Sequence, residues 1–203
     1  MKKISLLMLM FCGLLWAQNS AELYKKLDGR YASLTSFQAE VKQVNFFSRI
    51  DRTISYEGKF YFSGGRMLMT FAKPSVQKMY IQGGKAELYD GSSKTLYRSD
   101  LRPEASQMNP LELLQLYWNK SQVKITAQDK AYSWVKLTPK SDPMLRTLEA
   151  KIDNKTGIVQ SLSYTDLSDN KVTYSFSNIL INRPIAPQVW SFSYPKDTQI
   201  IEQ

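Results

Sequence analysis

Apolar and polar residues alternate along most of this chain with the period of a β-strand. The clearest run is Thr53 to Pro74. Ile54, Tyr56, Gly58, Phe60 and Phe62 fall on one side and Thr53, Ser55, Glu57, Lys59 and Tyr61 on the other, as in a strand with one buried and one wetted face. Ser63-Gly64-Gly65 supplies a reversal, because glycine takes positive φ without steric cost. The returning strand sets Met67, Met69 and Phe71 against Arg66, Leu68 and Thr70. Pro74 ends it, since proline cannot donate to a ladder.

The same period recurs on either side. Phe37, Ala39 and Val41 alternate with Gln38, Glu40 and Lys42. Met79 and Ile81 lead through Gly83-Gly84 to Ala86 and Leu88, and Asp90-Gly91-Ser92 turns the chain toward a strand over Lys94 to Arg98. Later alternations cover Val123–Ala127, Leu148–Ile152, Val159–Thr165, Val172–Phe176 and Trp190–Tyr194, with a hairpin turn at Asp153 to Gly157. Roughly ten short strands in this pattern predict one large antiparallel sheet, curled or closed to protect its edges. Two stretches carry the helical period instead. Leu23, Leu27, Tyr31 and Leu34 form an apolar stripe after a cap at Asn19 or Ser20, predicting an amphipathic first helix that packs on the sheet. Asn109-Pro110 opens a short helix through Trp118, with Leu111, Leu114 and Trp118 on one face. That helix is read equally as a plug for the core or as a cover over it.

Met1 to Ala17 has two lysines and then an apolar run from Ile4 to Leu15. That is the make-up of a secretory signal peptide, too short to span a membrane. The expectation is a cleaved leader over 1–17 and a single exported, soluble domain over 18–203. The only cysteine, Cys12, lies in the leader behind bulky Phe11 and does not read as a lipid anchor. The formal charge of the chain is +9; without Lys2 and Lys3, 25 basic residues stand against 18 acidic ones, leaving +7. The basic residues are scattered, which fits a solubilising surface better than a nucleic-acid partner.

The chain contains no histidine. With no cysteine beyond the leader, that excludes His-based acid–base chemistry, Ser-His-Asp and Cys-His nucleophiles and most zinc or copper sites. No metal and no cofactor are expected. A two-carboxylate glycan hydrolase survives the exclusion. Glu87 and Asp90 would be its acids, yet they alternate with apolar residues like ordinary surface positions.

Two readings of the apolar face remain open: side chains that fill a barrel or sandwich core, or a wall left underfilled for an apolar ligand. Methionine recurs at Met67, Met69 and Met79, where its flexible thioether suits a surface that repacks around variable ligands. The candidate wall is Phe60, Phe62, Met67, Met69, Phe71, Met79 and Ile81, with Leu111, Leu114 and Trp118 as its roof.

The order of features resembles the LolA family of periplasmic lipoprotein carriers over essentially all of residues 18–203. An amphipathic helix is followed by S-F-Q-A-E-V-K-Q (Ser36 to Gln43), then G-K-F-Y-F (Gly58 to Phe62) leading to A-K-P at Pro74. Q-G-G-K-A-E-L-Y-D (Gln82 to Asp90) is similar to the family's D-G-K-x-L-W-x-Y segment. N-P-L-E-L-L (Asn109 to Leu114) stands where the family has a lid helix. The end matches too, through D-N-K-T-G-I-V (Asp153 to Val159), Y-S-F-S-N-I-L-I-N (Tyr174 to Asn182) and W-S-F-S-Y-P-K-D-T-Q-I-I (Trp190 to Ile201).

The resemblance implies a mostly β fold, a half-open antiparallel barrel with a lid of short helices over an apolar cavity. It implies a monomeric, non-enzymatic periplasmic chaperone that shelters lipoprotein acyl chains. The implied partners are a LolCDE-like inner-membrane ABC transporter and a LolB-like outer-membrane acceptor. The family's Arg-Pro turn, whose arginine latches the lid, is replaced here by Ser63-Gly64-Gly65, leaving Arg66 as the candidate latch. Met69 also stands where the family often has Trp. The alternative on the same fold is a regulatory module that reads a peptide or lipid signal, as RseB-type relatives do.

Overall fold

A computed structural model describes residues 20–100 and 110–202, without the side chains of residues 110 and 111. The leader expected at Met1 to Ala17, Asn19 and the stretch from Leu101 to Asn109 lie outside the described residues.

Twelve strands form one sheet: β1 (Ser36–Phe47), β2 (Arg52–Ser63), β3 (Arg66–Lys73), β4 (Gln77–Gln82), β5 (Lys85–Asp90), β6 (Thr95–Asp100), β7 (Ser121–Gln128), β8 (Tyr132–Pro139), β9 (Leu145–Asp153), β10 (Val159–Asp166), β11 (Lys171–Ile181) and β12 (Gln199–Glu202). Their spatial order is β12-β6-β5-β4-β3-β2-β1-β11-β10-β9-β8-β7. Every neighbouring pair is antiparallel except β12 with β6. The sheet is therefore two meanders, β1–β6 and β7–β11, joined along β1 and β11. It curls without closing, within the curled or closed sheet that the strand pattern predicts, and is the half-open barrel that the family resemblance implies. β8, which the alternation did not single out, lies between β7 and β9.

Helix α1 spans residues 20–32, two residues short of the predicted end at Leu34. Its stripe is buried where expected, at Leu23 and Leu27. The β9–β10 turn holds it in place. Arg30 Nε donates to the Thr156 carbonyl at 3.0 Å, and the Val159 amide donates to the Tyr31 hydroxyl at 3.1 Å. Gly157, at φ 72°, lets the turn press on the helix; a Cβ there would lie 2.7 Å from the Lys26 carbonyl oxygen. Asn182, left-handed at φ 54°, clamps the α1–β1 junction. Its side-chain oxygen accepts from the Thr35 amide (2.9 Å) and hydroxyl (3.1 Å), and its Nδ2 donates to the Ser33 carbonyl (3.1 Å). Helix α2 is Pro110–Trp118.

The concave face carries two hydrophobic cores. One joins Leu23 and Leu27 of α1 and Leu114 and Trp118 of α2 to β7–β10, through Ile125, Leu137, Leu148, Ile152 and Leu162 among others. The other is built from β1–β4 and β11 around Phe37, Phe60, Met69 and Phe176. Tyr31 touches both.

The alternation over Trp190–Tyr194 predicts a strand, and here the structure differs. Pro187–Trp190 is a 3-10 turn, the next five residues have no regular secondary structure, and only Gln199–Glu202 joins the sheet. The alternating aromatics lie instead against the convex face. Phe192 meets Tyr80 edge-on at 5.2 Å, and Tyr194 tilts on Tyr89 at 5.3 Å. This strap explains why Leu68, on the convex side of β3, is only 2% exposed.

Candidate functional site

Alternation within each strand decides which side chains share the concave face, and register decides which of them touch. Gly64 (φ 57°) and Gly65 (φ 73°) close the β2–β3 hairpin. The pairing that follows sets Phe62 opposite Met67, Phe60 opposite Met69 and Gly58 opposite Phe71. β4 then sets Ile81 against Met67 and Met79 against Met69. All seven predicted wall residues thus share one face. Phe60, Met67, Met69, Phe71 and Ile81 are buried; Phe62 and Met79 are half-buried. The rings of Phe37, Phe60 and Phe176 pack edge to face, with centroids 5.7–5.8 Å apart, the arrangement that ring quadrupoles favour. Toward β5 the wall opens. Leu88, opposite Met79, is 41% exposed.

The predicted roof sits elsewhere. Leu114 and Trp118 are buried against α1 and β7–β10, with Trp118 stacked on Tyr24 at 5.2 Å; the Leu111 side chain lies outside the described residues. The end of α2 is tied down by the Tyr117 hydroxyl, which donates to Asp142 Oδ2 at 2.7 Å. Burial pushes the Tyr117 hydroxyl up, and the bond to Asp142 adds to it. Burial alone would raise Asp142 too, but the bonds from Tyr117 and from the Leu145 and Met144 amides hold it below the usual carboxylate range.

Arg66 faces the convex side, in step with Leu68, and its guanidinium lies 4.5 Å over the Trp190 ring. The strap engages this cation, and α2 does not, because β-strand alternation turns Arg66 away from the helices. A Lys78 ammonium lies similarly over Phe192 at 4.9 Å.

Two open cavities stand out among the described residues. One, of about 530 Å³, is a polar rim site around Tyr80, Glu87, Arg98 and Glu202. The other, of about 410 Å³, lies beside Arg66 and Trp190. Neither is lined by the Phe60–Ile81 wall. At the first, Glu87 accepts from Arg98 Nε (2.9 Å) and from the Tyr194 hydroxyl (2.7 Å), tying the strap to β5 and β6. Among the described residues no three His, Cys, Asp or Glu side chains gather as a metal cluster.

Pattern reading missed a polar row on the same concave face. On β1, Val41 is followed at inward positions by Gln43 and Asn45. Gln43 Nε2 donates to Asn45 Oδ1 at 2.8 Å. Gln43 lies opposite Tyr56 on β2 and Tyr174 on β11, both packed on the β1–β4 core. The hydroxyl of Tyr174 donates to that of Tyr164 on β10, and burial pushes Tyr174 up. The signal was legible: amides interrupt the apolar parity of β1 directly after Val41.

The family model for the outer membrane lipoprotein carrier protein LolA matches residues 32–193. No curated protein sequence matches the chain. Among solved structures, it is similar to an uncharacterized conserved protein from Thermus thermophilus, at 12% identity and TM-score 0.59, over 91% of this chain and 99% of that one. It is also similar to MucB, at 11% identity and TM-score 0.55, over 91% of this chain and 66% of that one. The complex of Pseudomonas aeruginosa MucA and MucB gives 11% and 0.52, over 86% and 61%. The chain thus spans less than two thirds of the MucB chains. At such identities the likeness is one of fold.

Proposed function

The chain belongs to the LolA outer membrane lipoprotein carrier family, and from that premise we propose that it is a periplasmic carrier that shields the acyl chains of lipoproteins on the concave wall Phe60, Phe62, Met67, Met69, Phe71, Met79 and Ile81. The cargo is received from a LolCDE-like ABC transporter and passed to a LolB-like acceptor in the outer membrane, with the carrier acting as a monomer and without chemistry of its own.

The observation that carries this reading is the continuity of the apolar face. It runs from the ring cluster at Phe60 through Met69 and Met79 to the exposed Leu88. A sixteen-carbon chain exposed in water costs on the order of 12 kcal/mol at ~0.8 kcal/mol per methylene, so a carrier must cover most of it and still release it. The wall is well packed around Phe60, so an acyl chain is admitted by repacking of the methionines, which their unbranched thioethers allow. Tyr31 of α1 packs against both cores, at the seam between the helices and the wall.

Protein purified from its own cell envelope should carry acylated peptides identifiable by mass spectrometry, and should bind an apolar fluorescent probe that those peptides displace. A protein that arrives free of acyl chains and ignores the probe refutes the carrier reading. Co-purification of a membrane-anchored regulator in place of acylated peptides would replace it with the regulatory alternative.

A further inference from the structure

We infer that the polar row of Gln43, Asn45, Tyr56, Tyr164 and Tyr174 is a second subsite of the concave face, which recognises the uncharged ester and amide linkage that joins the acyl chains to the cargo. This rests on the carrier reading and adds what the face recognises besides hydrocarbon.

The row is out of place in a wall whose only task is packing. Asparagine is depleted in strands, and Gln43 and Asn45 are half-buried on the inward face beside Tyr56 and Tyr174, where an amide loses part of its hydration. Val or Ile at positions 43 and 45 would serve a plain core better. One hydrogen bond joins the two amides. The Gln43 carbonyl and the Asn45 NH₂ have no further partner among the described residues, so each amide keeps capacity to offer. Tyr56 and Tyr174, directly opposite Gln43 on either side, and Tyr164, diagonal to Tyr174, extend the row from β2 to β10.

Charge narrows the ligand class. The inward positions of β2 from Ile54 to Phe62, β1 from Phe37 to Asn45, β11 from Val172 to Phe176 and β10 from Leu162 to Tyr164 hold no Lys, Arg, Asp or Glu. A phosphate or carboxylate placed there would lose its hydration with no cation to compensate. A neutral group bearing several carbonyls and an N–H matches amides and hydroxyls that both donate and accept. An N-acylated, diacylglyceryl-modified cysteine is such a group. Position also fits. From Gln43 to Phe37 is about 20 Å of strand, so a linkage held at the amides lays its chains along the apolar end of the same strand.

The test measures binding of two ligands by the mature protein: a fluorescent N-acyl-S-diacylglyceryl-cysteine amide and fluorescent palmitate. Gln43→Leu/Asn45→Leu keeps the wall apolar and removes the amides. Tyr174→Phe removes one hydroxyl and guards against misfolding of the double variant. The expected result is about a tenfold or greater loss of lipoamide affinity in the double variant, a smaller loss in Tyr174→Phe, and palmitate affinity unchanged in both. Equal losses for the two ligands, or no loss in either variant, overturns the subsite while leaving the carrier reading intact. Wild-type protein that binds neither ligand overturns both.

Discussion

Replacing Gly58 by alanine should be among the most damaging single-methyl additions available to this protein. Gly58 lies at the β2–β3 bulge, where pairing steps from Glu57–Lys73 to Gly58–Phe71. A Cβ there would sit 1.7 Å from the Thr70 carbonyl oxygen, 2.7 Å from its carbon and 2.8 Å from the Phe71 Cα. All three are backbone atoms, so no rotamer change relieves the clash. β2 would have to move from β3 by on the order of 1.5 Å, past the reach of hydrogen bonds that work at 2.7–3.2 Å. Two or three ladder bonds at about 1 kcal/mol each, plus 1–3 kcal/mol of overpacking, give a loss of about 3–6 kcal/mol. Gly29→Ala supplies the control. Gly29 is exposed in α1, a Cβ there meets nothing within 4 Å, and the same methyl should stabilise by about 1 kcal/mol. Urea unfolding followed by circular dichroism measures both. A Gly58→Ala protein within about 1 kcal/mol of wild type would refute the argument that the close backbone approach at this bulge leaves no room for a side chain.

Three further outcomes are expected. Met69→Leu should keep stability within about 1.5 kcal/mol while narrowing the range of acyl lengths that displace an apolar probe, since a branched side chain repacks less freely. Asn182→Ala should cost about 2 kcal/mol in thermal unfolding, because it leaves the Thr35 amide and hydroxyl and the Ser33 carbonyl without their partner and puts alanine at positive φ. Asp142 titrates lower folded than unfolded, so its contribution is complete above the usual Asp range, about pH 4, and is lost as pH falls through the folded value. Acid titration of Trp118 emission should show α2 loosening only below that range, and Asp142→Asn should flatten the step.

Period-two alternation put these apolar residues on one face because inward burial and strand pairing impose the same constraint; Phe60, Met69 and Met79 had no other consistent face. The turns were equally legible, since Gly64, Gly65, Gly83 and Gly84 all take positive φ. What alternation cannot carry is the partner of a face. Trp190, Phe192 and Tyr194 alternate as a strand would, but the surface they meet is the convex side of strands about a hundred residues earlier, and Leu68 is buried for the same reason. Leu114 and Trp118 were read from helical spacing as apolar, yet spacing does not say which half of a twelve-stranded sheet they cover. Arg66 was offered as a latch from a position shifted past the family's Arg-Pro turn, while its parity with Leu68 already turned it outward.

The joint between the two meanders governs how the protein comes into being. Residues 36–100 zip up hairpin by hairpin, and so do residues 121–181, each from near neighbours. β1 meets β11 only across gaps such as Phe46 to Lys171, and closing so long a loop is slow. A chain emerging amino end first therefore presents the phenylalanine- and methionine-rich half with both strand edges bare, β1 until β11 arrives and β6 until β12 does. For that interval the greasiest surface of the molecule is also its stickiest.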